Sequence, residues 1–248
     1  GSTDLMGRMV GTELSNRLGQ PVVIENIGGA GGAIGAQKVA SAQPDGYTLL
    51  VGASNELAIN KLVTKKVKYD IKAFTAIGLV ASQPLVLVAS PASGVKNAAD
   101  FIQLVSRNPG KYSYGSSGVG TSLHLAGEML KSQGNLFMTH IPYRGVAPLT
   151  NDLVGNNLEF GVFVLSSGLP HIKSGKVMAL GTTEAKRSPI TPDIPALAES
   201  PQFKNVDIGV WFALMAPANL PKPVHDKLRK ALTDALQSPE FRKKLEAT

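Results

Sequence analysis

The stretch YGSSGVGTSLH, from Tyr114 to His124, gives the strongest indication of how this chain folds. A β-prone run from Lys111 leads into it, and the apolar residues after it recur at helical spacing. A strand that ends in a glycine and hydroxyl loop before a helix exposes backbone N–H groups at the positive end of the helix dipole. The stretch therefore favours a small anion. An ordinary connection with a Ser or Thr N-cap is the alternative interpretation.

The alternation of strand, polar loop and helix recurs along the chain and predicts an α/β fold with mostly parallel strands. The polar loops follow strands and precede helices, which is the edge where open α/β sheets bind ligands. Two such edges facing each other would enclose a small anion. Ser2, Thr3 or Asp4 is expected to cap the first helix, and Ser238 the last. The predicted strands are 21–26, 47–53, 74–81, 84–89, 111–114, 138–142, 158–164, 176–182 and 206–216.

The composition excludes several classes of function. The absence of cysteine excludes disulfides and thiolate metal sites, and the four histidines lack metal-ligand spacing. The net charge of +7 comes from dispersed basic residues, which indicates a general attraction for small anions and no nucleic-acid site. No apolar run approaches the ~18–20 residues of a membrane span. The sequence therefore predicts no metal and no cofactor.

Catalytic motifs are incomplete. Ser117 is the best candidate for a nucleophile, but Val119 breaks the G-x-S-x-G pattern and His124 lies on the wrong side of a short loop for a triad. No lysine follows Gly120, so the loop is not a Walker A motif, and the glycines of residues 28–35 do not form G-x-G-x-x-G. The chain is rich in neutral donors near helix starts and poor in acids and bases, which favours binding over catalysis.

A set of ordered motifs resembles a known family, the substrate-binding proteins of tripartite tricarboxylate transporters, also called the Bug or TctC-like family. The resemblance covers nearly the whole chain. The motifs are GSTD (1–4), GQPVVIEN (19–26), GAGG (29–32), PDGYTLL (44–50), YGSSG (114–118), HLAGE (124–128), PYRG (142–145), LPHI (169–172), KRSP (186–189) and WF (211–212).

The resemblance implies a periplasmic binding protein fold of the second type, with two lobes, a ligand cleft and hinge strands. Lobe 1 would be residues 1–90 plus 212–248, with a first strand expected before Gly1 and missing here, and lobe 2 residues 91–211. It also implies a secreted periplasmic protein that is a monomer, has no catalytic activity or cofactor, and delivers a small carboxylate to membrane permease subunits.

The resemblance also implies a set of ligand-binding residues that grip a carboxylate by backbone N–H and hydroxyl groups. Phe163 stands where many members have an Asp for an amino-acid ammonium. Its ring therefore favours an aromatic or aliphatic mono- or dicarboxylate, unless Phe163 is simply a core residue. The other implied contacts are Ser2, Thr3, Asp4, Ser54 and Asn55 in lobe 1, and Ser116, Ser117, Gly120, Thr121, Tyr143 and Gly145 in lobe 2.

Two other classes of function use similar features. The effector-binding domain of a transcription regulator has a related two-lobed fold, and the native sequence before Gly1 would reveal its helix-turn-helix. A serine-dependent hydrolase could use the Ser116–Ser117 loop, and its turnover would be lost in Ser117→Ala.

Overall fold

The computed structural model describes residues 1–248 as two compact units. Unit 1 comprises Gly1–Ser82 and Trp211–Thr248, and unit 2 comprises Gln83–Val210. The chain passes from one unit to the other inside two strands, β2 (Phe74–Ala89) and β7 (Gly209–Pro217). The other strands are β1 (Leu50–Ala53), β3 (Ser113–Ser116), β4 (Thr139–Pro142), β5 (Phe160–Val164) and β6 (Met178–Thr182). The strand order is β1-β7-β2-β5-β3-β4, and β6 also pairs with β2. None of the helices has both the length and the hydrophobicity that a membrane-spanning helix requires.

Unit 1 is built on helix α1, which buries Met6, Val10 and Leu14 on one face and ends at Gly19 in the left-handed conformation. Strand β1 pairs antiparallel with β7, with Leu50 opposite Met215. The elements of this unit are α1 (Ser2–Leu18), α2 (Ala33–Ala40), β1 (Leu50–Ala53), a π-helical turn (Asn55–Ile59), α3 (Asn60–Val63), the first part of β2 (Phe74–Ala89), most of β7 (Gly209–Pro217), α8 (Lys222–Gln237) and α9 (Pro239–Glu246).

The predicted strand at 21–26 is wrong, because this segment pairs with no strand. Its apolar residues pack on helix α1 instead. A Cβ at Gly11 would lie 2.8 Å from Cδ1 of Ile24 and 3.3 Å from Cγ1 of Val22. The two side chains therefore pack directly against the helix backbone at Gly11. Val23, between them, is 87% exposed. The alternation that resembled a strand therefore reflects packing on a helix.

The two strands predicted at 74–81 and 84–89 form one strand, β2. Proline has no N–H to donate to a sheet, so a strand can pass through Pro84 only where no ladder bond is needed from it. Pairing with β5 and β6 begins only after it, with Leu85 opposite Val164 and Val86 opposite Thr182. The proline thus lies outside that ladder, and the strand continues through it.

Unit 2 contains parallel and antiparallel pairs, so the expectation of mostly parallel strands is wrong. Strand β2 runs antiparallel to both β5 and β6. Strand β3 lies parallel to β4 and to β5. The remaining elements are α4 (Ala98–Arg107), β3 (Ser113–Ser116), α5 (Ser122–Gly134), β4 (Thr139–Pro142), α6 (Val146–Val154), β5 (Phe160–Val164), α7 (Leu165–Lys173) and β6 (Met178–Thr182).

Candidate anion-binding site

Three helices of unit 2 begin at one edge of the sheet. Strands β5, β3 and β4 are neighbours and run parallel, so their carboxyl ends meet at the same edge. Helices α7, α5 and α6 follow these strands directly or after a short loop. Each helix start presents backbone N–H groups without helical acceptors and a partial positive charge. The edge therefore has the chemistry of an anion site built from neutral groups.

The segment from the last residue of β3 to the N-cap of α5, residues 116–121, is here called the 116–121 loop. Two buried hydroxyl side chains hold it from inside. The Ser116 hydroxyl donates to the Gly118 carbonyl and accepts from the Gly118 N–H, each at 3.1 Å. The Thr121 hydroxyl donates to the Gly118 carbonyl at 2.8 Å and accepts from the His124 N–H as the N-cap of α5. Both predicted ligand contacts thus serve the shape of the loop.

The donors left for a ligand are mainly on the backbone. The N–H groups of Ser117 and Val119 donate to no acceptor in the chain, and the Ser117 hydroxyl makes no hydrogen bond there. The N–H of Gly120 donates to Nδ1 of His124 at 3.2 Å. A direct Gly120 contact with a ligand would break that bond, so this predicted contact stays a prediction. Val119 was missed because an apolar residue in a loop gives no signal for a backbone donor.

The turn before α6 brings the predicted Tyr143 and Gly145 to the same edge. The Tyr143 N–H donates to the Ser116 carbonyl at 3.0 Å, which joins the two loops. Its hydroxyl donates to Asp152 at 2.7 Å, and burial together with this carboxylate raises the pKa of Tyr143 to about 12. Gly145 has φ 125° and is the N-cap of α6, with its own N–H free of acceptors. The Gly145 amide is therefore available, whereas the Tyr143 hydroxyl is engaged.

In unit 1 the predicted side-chain cap of α1 is wrong. The helix begins at Ser2 with Gly1 as its N-cap, and no side chain caps it. The Asp4 carboxylate accepts instead from the Asn26 side chain at 2.7 Å and pairs with Arg8 at 3.0 Å, and these two partners lower its pKa. The first-turn N–H groups of Ser2, Thr3 and Asp4 are consequently what this helix start can offer.

The second predicted site of unit 1 follows β1. The Ser54 hydroxyl is buried and has no hydrogen-bond partner, while Asn55 is partly exposed. The next residue, Glu56, is almost fully buried, accepts from the Ala53 N–H at 2.6 Å and has its pKa raised to about 7 by that burial. A carboxyl group with its pKa raised in this way carries less negative charge beside the turn at neutral pH than an exposed glutamate would. Sequence reasoning missed Glu56 because its burial cannot be read from a lone acid near a strand end.

Comparison with known proteins identifies the family. The family model described as the tripartite tricarboxylate transporter family receptor matches residues 6–248. The chain belongs to this family. It is 36% identical to the periplasmic binding protein BugD, with TM-score 0.93, over all of this chain and 82% of that one. An R. palustris protein solved with adipate, Rpa4515, is 31% identical with TM-score 0.96, over 99% of this chain and 82% of that one.

Another similar protein of known structure is MatC from Rhodopseudomonas palustris, solved with bound malate. It is 29% identical, with TM-score 0.92, over all of this chain and 84% of that one. The TctC family consists of periplasmic solute-binding proteins, which are not enzymes. The predictions of the family, of the periplasmic binding protein fold and of the absence of catalysis are thereby confirmed.

One contact in this TctC family member looks like a catalytic pair. The Ser116 hydroxyl lies 2.6 Å from Nε2 of His140. Ser116 is fully buried, however, so a substrate cannot reach it, and no carboxylate hydrogen-bonds to His140 as the third member of a triad would. The pair is structural. It extends to His124, whose ring stacks on that of His140 with centroids 4.1 Å apart.

The sequence alone indicates of these two histidines only that they lack metal-ligand spacing. They lie on different elements, α5 and β4, and the register that sets His140 opposite Tyr114 brings them together. Burial lowers the pKa of both imidazoles, that of His140 to about 4. Only the register of the parallel strands could have indicated this cluster.

Phe163 lies on the inward face of β5. It is fully buried in a cluster with Val86, Val88 and Leu169, and its ring centroid is 6.3 Å from that of His171. A ligand could touch the ring only after these neighbours moved. Its role in excluding amino acids stays a prediction, beside the alternative that it is a core residue.

Proposed function

We propose that this protein is a periplasmic solute-binding protein that captures a small aromatic or aliphatic mono- or dicarboxylate and delivers it to the membrane permease subunits of a tripartite transporter. The observation that carries the proposal is the common starting edge of α5, α6 and α7 in unit 2. Membership of the TctC family supports the transport role, and the adipate and malate of its solved relatives support the ligand class.

The proposed carboxylate contacts in unit 2 are the N–H groups of Ser117, Val119 and Gly145 and the Ser117 hydroxyl. Hydrogen bonds to a charged group contribute about 1.5–3 kcal/mol each. Two or three of them, with the helix dipoles at about 0.3–1 kcal/mol each, are of the size that micromolar binding at about −8 kcal/mol requires. No lysine or arginine needs to approach the ligand.

In unit 1 the proposed contacts are the N–H groups at the start of α1, in Ser2, Thr3 and Asp4, together with Ser54 and Asn55. The unpartnered Ser54 hydroxyl supports this part, because a buried hydroxyl without an acceptor is costly until something fills that place. A ligand oxygen or a bridging water would satisfy it.

Calorimetric titration of the ligand-free protein tests the proposal. The panel contains adipate, malate, benzoate, terephthalate and citrate, with aspartate and glutamate as amino-acid counterparts. We expect saturable 1:1 binding of at least one carboxylate and weaker binding of the amino acids. Tight binding of aspartate or glutamate with none of the others would contradict the ligand class.

A matched pair of variants locates the site. Ser117→Ala removes a partly exposed hydroxyl from the 116–121 loop and should weaken carboxylate binding about tenfold, the effect of one hydrogen bond to a charged group. Ser106→Ala removes an exposed hydroxyl from α4, where it bonds only to the Gln103 carbonyl, and should leave binding unchanged. Equal affinity in both variants would place the ligand elsewhere.

A further inference from the structure

We propose that His124 and His140 are positioning residues of the 116–121 loop, and that His124 holds it for carboxylate binding only as a neutral imidazole. The inference rests on the proposed function for its effect on affinity, but its contacts can be tested without a ligand. Neither histidine needs to touch the carboxylate. Their role is to fix the backbone whose free N–H groups bind the carboxylate.

The two histidines hold the loop at both ends. At its start, Nε2 of His140 bonds with the Ser116 hydroxyl at 2.6 Å. Near its end, Nδ1 of His124 accepts from the Gly120 N–H at 3.2 Å. The free N–H groups of Ser117 and Val119 lie between these two points in the chain. Their direction consequently depends on both contacts.

The Gly120 contact fixes the tautomer of His124. A nitrogen that accepts from a backbone N–H carries no proton. Nδ1 of His124 must therefore be unprotonated, and the proton of the neutral imidazole must lie on Nε2. Protonation would turn Nδ1 into a donor that faces another donor. The Gly120 N–H would then lose its acceptor, and the end of the loop would be released.

The surroundings keep the pair neutral near pH 7. The rings stack with their centroids 4.1 Å apart, so two positive charges there would repel strongly. The charged groups that face the pair are Glu128 and Lys131 on α5, which pair with each other at 3.0 Å and oppose each other in their effect on the imidazoles.

The ring of Tyr114 on β3 lies 5.0 Å from that of His140, and its hydroxyl donates to Glu128 at 2.8 Å. The carboxylate is thus tied to Tyr114 and Lys131 and not to either imidazole. Burial remains the main influence, and it lowers the pKa of both histidines.

Two substitutions of His124 distinguish the loss of its hydrogen-bond acceptor from the loss of its imidazole ring. His124→Asn keeps a side-chain oxygen near the place of Nδ1, whereas His124→Leu removes every acceptor. With adipate as the probe at pH 7, we expect affinity about tenfold below wild type for His124→Leu, the effect of one hydrogen bond, and within about threefold for His124→Asn. Equal losses in both variants would overturn the positioning role.

A pH series gives a readout that simple packing would not move. The ratio of adipate Kd values between wild type and His124→Asn is measured from pH 8 to pH 4, so that the titration of adipate itself cancels. Wild type should lose affinity relative to the variant at the acidic end of the series, because burial lowers the pKa of His124 from its ordinary value of 6.5. A ratio that does not change would overturn the requirement for a neutral His124.

Nitrogen-15 NMR of the ligand-free protein tests the contacts even if adipate does not bind. We expect His124 to carry its proton on Nε2 alone at pH 7, and the Gly120 amide resonance to move in His124→Leu but much less in His124→Asn. A proton on Nδ1, or an unmoved Gly120 amide, would overturn the inference. If these results hold while no carboxylate binds to wild type, the proposed function fails and the loop contacts stand. If His124→Leu does not fold, His140→Phe against His140→Gln repeats the test at Ser116.

Discussion

The buried carboxyl group of Glu56 accepts a hydrogen bond from the Ala53 N–H at 2.6 Å, one residue before the turn that holds Ser54 and Asn55. A Cβ at Gly32 would lie 2.7 Å from the second oxygen of the same carboxyl group, so the glycine-rich loop before α2 packs against it. Glu56 as a whole residue is 6% exposed to solvent. One buried acid thus supports the end of β1.

Glu56 should make the stability of the protein depend on pH. Burial raises its pKa from 4.5 to about 7 in the folded state, so folding favours the protonated form. The stabilising effect is complete below pH 4.5 and is lost as the pH rises through 7, with a total of about 3 kcal/mol at about 1.4 kcal/mol per pKa unit. Urea unfolding of wild type and Glu56→Gln at pH 5 and pH 8 measures the difference.

The glutamine variant should gain stability relative to wild type at pH 8, because it stays neutral and still accepts from Ala53. Glu56→Ala is the contrasting control. It leaves the Ala53 N–H unsatisfied and should cost about 1–3 kcal/mol for that group alone, with a further cost for the cavity. A difference between wild type and Glu56→Gln that is the same at both pH values would show that Glu56 has an ordinary pKa.

Gly127 on α5 should not tolerate a side chain. A Cβ there would overlap the ring of Tyr114, which is itself buried and bonded through its hydroxyl to Glu128. Gly127→Ala should therefore lower the free energy of unfolding by about 1–3 kcal/mol, the usual cost of overpacking, despite the higher helix propensity of alanine. Gly28→Ala is the control, because nothing lies within 4 Å of a Cβ at that position. Equal stability of the two variants in urea would contradict the packing.

Tyr143→Phe distinguishes a structural hydroxyl from a ligand contact. The hydroxyl already donates to Asp152 at 2.7 Å, so its removal should change carboxylate affinity by less than about threefold, below the effect of one hydrogen bond. The unfolding free energy should fall by about 1 kcal/mol. A tenfold loss of affinity by calorimetry would mean that the Tyr143 hydroxyl turns from Asp152 to the ligand.

The sequence predicted the elements that depend on local chemistry. Thr121 caps α5, and Ser238 caps α9 with Pro239 at the first helical position, because a hydroxyl before a helical run satisfies its free N–H groups. The strand predicted at 21–26 is wrong because its pattern depends on packing against a distant element and not on local chemistry. Its alternating apolar residues pack on α1, and alternation alone cannot tell a sheet face from a helix surface.

Much of the candidate site follows from the order of strands, loops and helices, and the rest depends on contacts between distant residues. The sequence placed Ser117 and Gly145 in loops at strand ends, where their donors are free. It could not show that the N–H of Gly120 is already bonded to His124, or that His140 reaches Ser116 from another strand. Both facts arise from register and packing.

We propose that backbone N–H groups at the shared helix-starting edge of unit 2 bind the carboxylate. Amide NMR of the nitrogen-15-labelled protein during titration with adipate, and separately with malate, observes these groups one by one. We expect saturable shifts that are largest at Ser117, Val119 and Gly145, because a charged acceptor deshields the N–H that donates to it. Saturable binding that leaves these three amides unmoved would contradict the proposal.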